Sequence, residues 1–220
     1  MYRIIKKGKT IIMDKDRALY IPAYHMLVIS DIHLGKSGHF RKEGLQIPKQ
    51  VSDTDMLRLD KLLEVYNPKT LLVTGDMFHH DHNLDLETFR EWRKKYASLE
   101  IILVKGNHER LSVLFYEELA IKLFSDYYEL GEFCFVHNRK DAPDRGKFIF
   151  SGHIHPGILL KGKARQRIKL PCFVFDDTAA LLPAFSLFTG LSLIEVTKEQ
   201  EVFAITAQRV LPMGTRRAEI

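Results

Sequence analysis

Asp31 and His33 stand one residue apart at the end of the apolar run VISDIH, and four later stretches repeat that form. They are LVTGDMFHH, LVKGNHE, FCFVHN and IFSGHIH, each an apolar strand with polar residues at its carboxyl end. Ligand sites in open α/β sheets lie beyond the carboxyl ends of strands, so these groups are expected to converge. Alternate residues of an extended segment point the same way, which would let Asp31 with His33, and His153 with His155, present two ligands each. Gly75, Gly106 and Gly152 are read as sharp turns just before a ligand. The donors are then two aspartates, Asp31 and Asp76, one asparagine, Asn107, and several histidines. Mixed nitrogen and oxygen donors without thiolate suit manganese, iron or zinc better than calcium or a structural zinc. Asp76, after the central strand, is the natural carboxylate to bridge two ions. Paired ions roughly 3.5–4 Å apart can hold both the attacking and the leaving oxygen of an in-line phosphoryl displacement. One such cluster is more often a turn, a cap or a satisfied core histidine; five in succession form a joint signal.

The elements that must position these groups follow from periodicity. TIIMDKDRALYIP reads as a hairpin leading into the strand HMLVIS, which ends at Ser30. SDTDMLRLDKLLEVYN opens on a capping residue, Ser52 or Asp53, and sets Met56, Leu59, Leu62, Leu63 and Tyr66 at helical spacing, with Pro68 just beyond. TLLVTGD is a second strand, DLETFREWRKKYA a second helix and EIILVKGNHE a third strand, so a parallel or mixed sheet covered by helices is expected. FCFVHN, KFIFSGHIH, PCFVFDD, LSLIEV and EVFAITA are short β-type runs, read as a second sheet packed on the first. No repeat, low-complexity tract or linker divides the chain, so one domain over residues 1–220 is the expectation.

Composition sets the outer bounds. Hydrophobic content of 45% and charged content of 28% in 220 residues suit a soluble globular chain with a substantial core. The longest uncharged stretch, Thr178 to Ile194, is broken by Pro183, Ser186, Thr189 and Gly190, which argues against a membrane span. MYRIIKKGKT carries no long apolar segment after its charges, so no signal peptide is visible. Cys134 and Cys172 lie far apart in apolar runs and read as buried thiols, in keeping with a reducing cytoplasm. The net charge of +5 is compatible with a polyanionic partner. KGKARQRIK alternates Lys161, Lys163, Arg165, Arg167 and Lys169; it is either a cationic face that follows a phosphate backbone or a solvated hairpin turning within GKAR. His39, Arg41 and Lys42 add charge shortly after the first cluster, and Lys36 is a candidate phosphate contact.

The order Asp-x-His, Gly-Asp, Gly-Asn-His-Glu, His, Gly-His-x-His resembles the calcineurin-like metallophosphoesterase superfamily, with no motif missing. That resemblance implies a four-layer α/β/β/α sandwich with its site at strand carboxyl ends. It implies that Asp31, His33 and His155 hold one metal, that Asn107, His137 and His153 hold the other, and that Asp76 bridges them. His108 would contact the scissile phosphate, stabilise the developing charge and protonate the leaving oxygen, while a metal-activated hydroxide attacks phosphorus in line. A narrower resemblance covers nearly the whole chain. DIHLGKSGHFRKEGLQIP, GDMFHH, GHIHPG and LPCFVFDDTAALLPAFSLFTG are similar to the bacterial ligase-associated DNA-damage-response endonucleases, the PdeM family, related to the SbcD-type repair nucleases. It implies a manganese-dependent DNA endonuclease, with zinc or iron as other metals, in which His79 aids the reaction. Lys36, Arg41, Lys163, Arg165 and Arg167 are the candidate DNA contacts, single strands are the favoured substrate, and a repair helicase or ligase is a candidate partner. No membrane is expected, and a homo-oligomer is left open. The competing readings are a hydrolase of small phosphodiesters or nucleotides and a non-catalytic scaffold of the same fold. His80, His82 and Glu109 receive no role, beyond hydrogen bonding at the turn for Glu109.

Overall fold

The computed structural model describes residues 1–34, 50–78, 84–162 and 166–213. Seven strands form the first sheet in chain order: β1 (Tyr2–Lys6), β2 (Lys9–Met13), β3 (Leu19–Ile21), β4 (Met26–Ile29), β5 (Thr70–Thr74), β6 (Glu100–Val104) and β7 (Ile121–Phe124). Strands β1 to β4 pair antiparallel and β4 to β7 parallel, so the expected mixed sheet is formed. Val28, Leu72 and Ile102 lie in register across its centre, which brings the carboxyl ends of β4, β5 and β6 to one edge.

Both faces of this sheet are buried, and alternation divides them. Leu27, Ile29, Leu71, Val73, Ile101 and Leu103 face three helices, α1 (Gln50–Tyr66), α2 (Leu84–Lys95) and α3 (Val113–Glu118), through Leu59, Leu62, Phe89, Trp92, Phe115 and Tyr116. Ser52 and Asp53 fall inside α1 instead of capping it. The intervening residues Met26, Val28, Leu72, Ile102 and Val104 face the second sheet.

That sheet contains β8 (Tyr127–Leu130), β9 (Phe133–Val136), β10 (Phe148–Ser151), β11 (Pro156–Lys161), β12 (Arg167–Phe175), β13 (Ala179–Leu181), β14 (Ser192–Leu193), β15 (Glu201–Ile205) and β16 (Val210–Met213). Its order is β14-β11-β12-β13-β10-β9-β8, with β15 on β12 and β16 on β15. Phe133, Phe135, Phe148, Phe150, Phe173, Phe175 and Phe203 fill the space between the sheets. A two-sheet α/β sandwich results, as expected. All three described α-helices pack on the first sheet. The outer face of the second carries a smaller cluster of Ile158, Cys172, Val174, Val202 and Ala204, and the expected fourth, helical layer is not among the described residues. Cys134 and Cys172 are buried and unbridged, and burial raises the two thiols to about 11 and about 12.

Candidate metal centre

Strand β4 ends at Ile29 and β10 at Ser151, so the Asp31–His33 and His153–His155 pairs lie beyond the pleat. Strand alternation therefore does not aim them. Asp31, His33, Asp76, His153 and His155 all take left-handed backbone, with φ of 52°, 50°, 50°, 68° and 53°. Such conformations cost about 1–3 kcal/mol each in non-glycine residues and persist only where surroundings enforce them. Here the loops brace one another. Asp31 N donates to Gly75 O at 3.1 Å, His33 N to Asp76 O at 2.9 Å and Gly152 N to His137 O at 3.0 Å. The glycines act mainly by leaving room. A Cβ on Gly152 would stand 1.7 Å from Ser30 Oγ and 2.5 Å from Asp31 Oδ2, and one on Gly75 would stand 2.0 Å from His137 Nδ1. Only Gly75 of that pair is also left-handed, at φ 88°.

These loops bring the seven expected ligands and His108 together. His155 Nε2 lies 3.3 Å from Asp31 Oδ1, and the His33 ring centroid is 5.6 Å from that of His155. His137 Nε2 lies 2.9 Å from Asn107 Oδ1 and 3.0 Å from His153 Nδ1. Asp76 Oδ2 sits between the two sets, 4.0 Å from His33 Nε2 and 3.6 Å from His137 Nε2. His108 Nε2 reaches to 3.9 Å from the same oxygen. Two overlapping ligand groups result, Asp31 with His33 and His155, and Asp31 with Asp76 and His137, each with donor atoms within 4.8 Å of one another.

The donor set fits divalent cations on electrostatic grounds. Asp31 and Asp76 are 0% and 2% exposed, and among the described residues no Lys or Arg pairs with either. Asp31 Oδ2 accepts from Ser30 Oγ and, at 3.0 Å, from His153 N, whereas its Oδ1 has no hydrogen bond among the described residues. Asp76 Oδ1 is likewise tied to His108 N at 3.0 Å, leaving Oδ2 turned inward. Each carboxylate thus spends one oxygen on holding a neighbouring loop and directs the other at the shared space. Burial opposes ionisation of Asp31, yet His155, His137 and the Ser30 hydroxyl keep its carboxyl below the usual range. Two buried carboxylates without a fixed cation are costly unless metal ions neutralise them.

The model of the calcineurin-like phosphoesterase family matches residues 24–155. The chain belongs to that family. It is a metal-dependent phosphoesterase, and the family uses divalent metals. The crystal structure of nuclease MPE from Pseudomonas putida is similar to it with a TM-score of 0.83 and 29% identity, covering 96% of this chain and 99% of that one. A protein of unknown function, AQ665 from Aquifex aeolicus, is similar with a TM-score of 0.41 and 19% identity, over 59% of this chain and 78% of that one. No curated protein matches the chain.

The structure of this phosphoesterase adds supports that have no local signature. Glu109 is buried and accepts from Gly106 N at 2.7 Å, Asp76 N at 3.2 Å and Met77 N, so it staples the β5 loop to the β6 loop. Burial and the nearby Asp76 charge push its carboxyl up to about 7. The AFSL segment braces β4 from the other side, Phe185 N donating to Ser30 O at 2.6 Å and Ser186 N to Asp31 O at 3.2 Å. Arg17 holds this segment through the carbonyls of Ala184 and Ser186, and Arg58 holds it through that of Phe185. Capping signals and acid–base clusters would not have revealed this, because the partners are distant in sequence.

His79, His80, His82, Lys36, His39, Arg41, Lys42, Lys163 and Arg165 lie outside the described residues. Arg167 opens β12, opposite Lys161, and Gly162 N donates to Gln166 O at 2.9 Å, so β11 and β12 pair as the two arms of a hairpin on either side of residues 163–165. Its described cations, Lys161, Arg167 and Lys169, lie on one side. Val174 pairs with Leu181, which is level with Ser151 at the end of β10, so residues 167–171 run past the metal-bearing edge. Arg167 and Lys169 share strand parity with Phe173 and Phe175, which face the first sheet, and both cations are exposed.

Proposed function

We propose that this phosphoesterase is a two-metal DNA endonuclease of the ligase-associated PdeM kind, related to the SbcD-type nucleases, with manganese as its metal and single strands favoured. The observation that carries this reading is the convergence of seven oxygen and nitrogen ligands beside His108. In it, Asp31, His33 and His155 hold one cation, Asn107, His137 and His153 hold the other, and Asp76 Oδ2 lies between. The cations supply Lewis acidity and an activated water for displacement at phosphorus. His108 is pinned by its backbone to Asp76 Oδ1 while its side chain stays 39% exposed at the rim. A side chain so placed can meet the phosphate, stabilise its developing charge and hand a proton to the leaving oxygen.

DNA as substrate is supported by the likeness to a nuclease along nearly the whole chain and by the cationic face of the β11–β12 hairpin. A narrow site on strand ends accepts a bendable strand more easily than a stiff duplex, hence the preference for single strands. The setting proposed is the cytoplasm, beside a repair helicase or ligase; no helix among the described residues is long and apolar enough to cross a membrane. The test is a matrix of manganese, zinc, iron, magnesium and cobalt against single strands, duplexes, hairpins and a small diester. Manganese-dependent internal cleavage, faster on single strands, is expected. Hydrolysis of the small diester alone would favour the small-phosphodiester reading, and equal cleavage of linear duplex would remove the strand preference.

A further inference from the structure

The loop Gly106–Glu109 separates two open cavities of different charge. One, of about 240 Å³, is lined by Lys105 and by Asn107, His137 and His153, but also by Asp126 and Asp141. Asn107, His137 and His153 are the ligands proposed for one cation, so this cavity opens on the metal centre itself, and its one lysine is offset by two exposed carboxylates. The other, of about 400 Å³, is lined by Arg90, Arg110, Leu111, Leu114, Phe115 and Glu118. Arg90 is neutralised there: it donates to Glu118 Oε1 at 3.0 Å and Oε2 at 3.2 Å, pairs with Glu87, and lies 5.1 Å from the Phe115 ring centroid. Arg110 is exposed and makes no ion pair or hydrogen bond among the described residues. Leu114, in the same lining, is 74% exposed, and Val113, before it in the chain, is 60% exposed. Single exposed apolar residues are ordinary, but Leu114 shares its cavity with a guanidinium that is unpaired among the described residues and two residues from His108.

We infer that this second cavity is the subsite for the nucleotide on the leaving side of the scissile phosphate. Arg110 grips that nucleotide's next phosphate, and Leu111 and Leu114 carry its base and sugar. The inference rests on the endonuclease reading and deepens it. The proposed proton donor to the leaving oxygen is His108, so the leaving strand departs over the end of the loop that carries Arg110. A guanidinium fork suits a phosphate, and a cavity of this size takes one nucleotide. The cavity beside Lys105 offers no side-chain anion site beyond the metal centre, which takes the scissile phosphate itself, and this gives the bound strand a direction.

The test compares Arg110→Ala and Arg110→Lys with the unaltered enzyme, manganese-loaded, on a single-stranded oligonucleotide and on thymidine 5′-p-nitrophenyl phosphate. The second substrate leaves as a nitrophenol and has no phosphate to place beside Arg110. The alanine variant is expected to lose about tenfold more kcat/KM on the oligonucleotide than on the ester, through KM. Its log KM should depend less steeply on log salt, by about 0.7 for one single-strand contact removed. The lysine variant should recover part of the loss, and melting temperature and manganese stoichiometry should match the unaltered enzyme. Equal losses on both substrates, or an unchanged salt slope, would overturn the inference. If the unaltered enzyme hydrolyses the ester and no oligonucleotide, the endonuclease reading itself fails.

Discussion

Two buried regions of this protein meet at the strand ends and are held by opposite means. Between the sheets, Phe135 and Phe150 stack at 5.2 Å amid a continuous apolar layer, where burial itself is favourable. At the strand ends, Asp31 and Asp76 are buried just as fully in left-handed backbone, where burial is a cost. The interior is a matter of volume and alternation. The strand ends are a matter of individual atoms, since a single added Cβ at Gly152 would overlap Ser30 Oγ. One region stabilises the fold, and the other is stabilised by it and, as proposed, by the cations it would hold.

The comparison can be broken most forcefully at Asp76. Asp76→Asn keeps an oxygen for His108 N but removes a buried charge. Turnover should fall beyond the 10–100-fold that follows loss of a residue behind a metal ligand. The metal-free melting temperature should rise or hold, while the manganese-induced rise in melting temperature disappears; calorimetry with and without manganese checks both. Gly152→Ala should weaken metal binding by about 10–100-fold with the circular dichroism of the fold retained. A variant that binds metal normally would show that the loop yields. Phe150→Ala is the converse case. It should cost about 3–5 kcal/mol in denaturant unfolding while the folded fraction keeps its metal stoichiometry.

How far these regions were legible follows from the same contrast. The interior was readable because period-two alternation is local, as in LVTGD and FCFVHN. The candidate ligands were readable because each follows such a strand. Their aim was not readable, because aspartate and histidine give no sign of left-handed backbone in the way glycine does. The β2–β3 hairpin was readable in TIIMDKDRALYIP, but β1 was not, since its turn to β2 at Lys7 and Gly8 lacks an Asn-Gly or Asp-Gly signal. Helix α3, at 6 residues, is too short for its periodicity to register. Glu109 and the Arg17–Arg58 brace depend on contacts between distant segments, which no window along the chain contains.

Smaller effects sharpen the picture. Reversing Arg167 and Lys169 to glutamate should lower oligonucleotide cleavage about tenfold more than hydrolysis of a small diester, with a weaker salt dependence. Glu109→Gln replaces one of two accepting oxygens by a donor against backbone N–H groups, and should cost about 1–3 kcal/mol in metal-free stability, read from chemical denaturation.

The most direct test of the central claim is anomalous scattering from crystals grown with excess manganese. Two peaks about 3.5–4 Å apart, flanked by Asp31 with His33 and His155 on one side, Asn107 with His137 and His153 on the other, and Asp76 between, are the predicted result. One peak, or none within reach of those side chains, would contradict it.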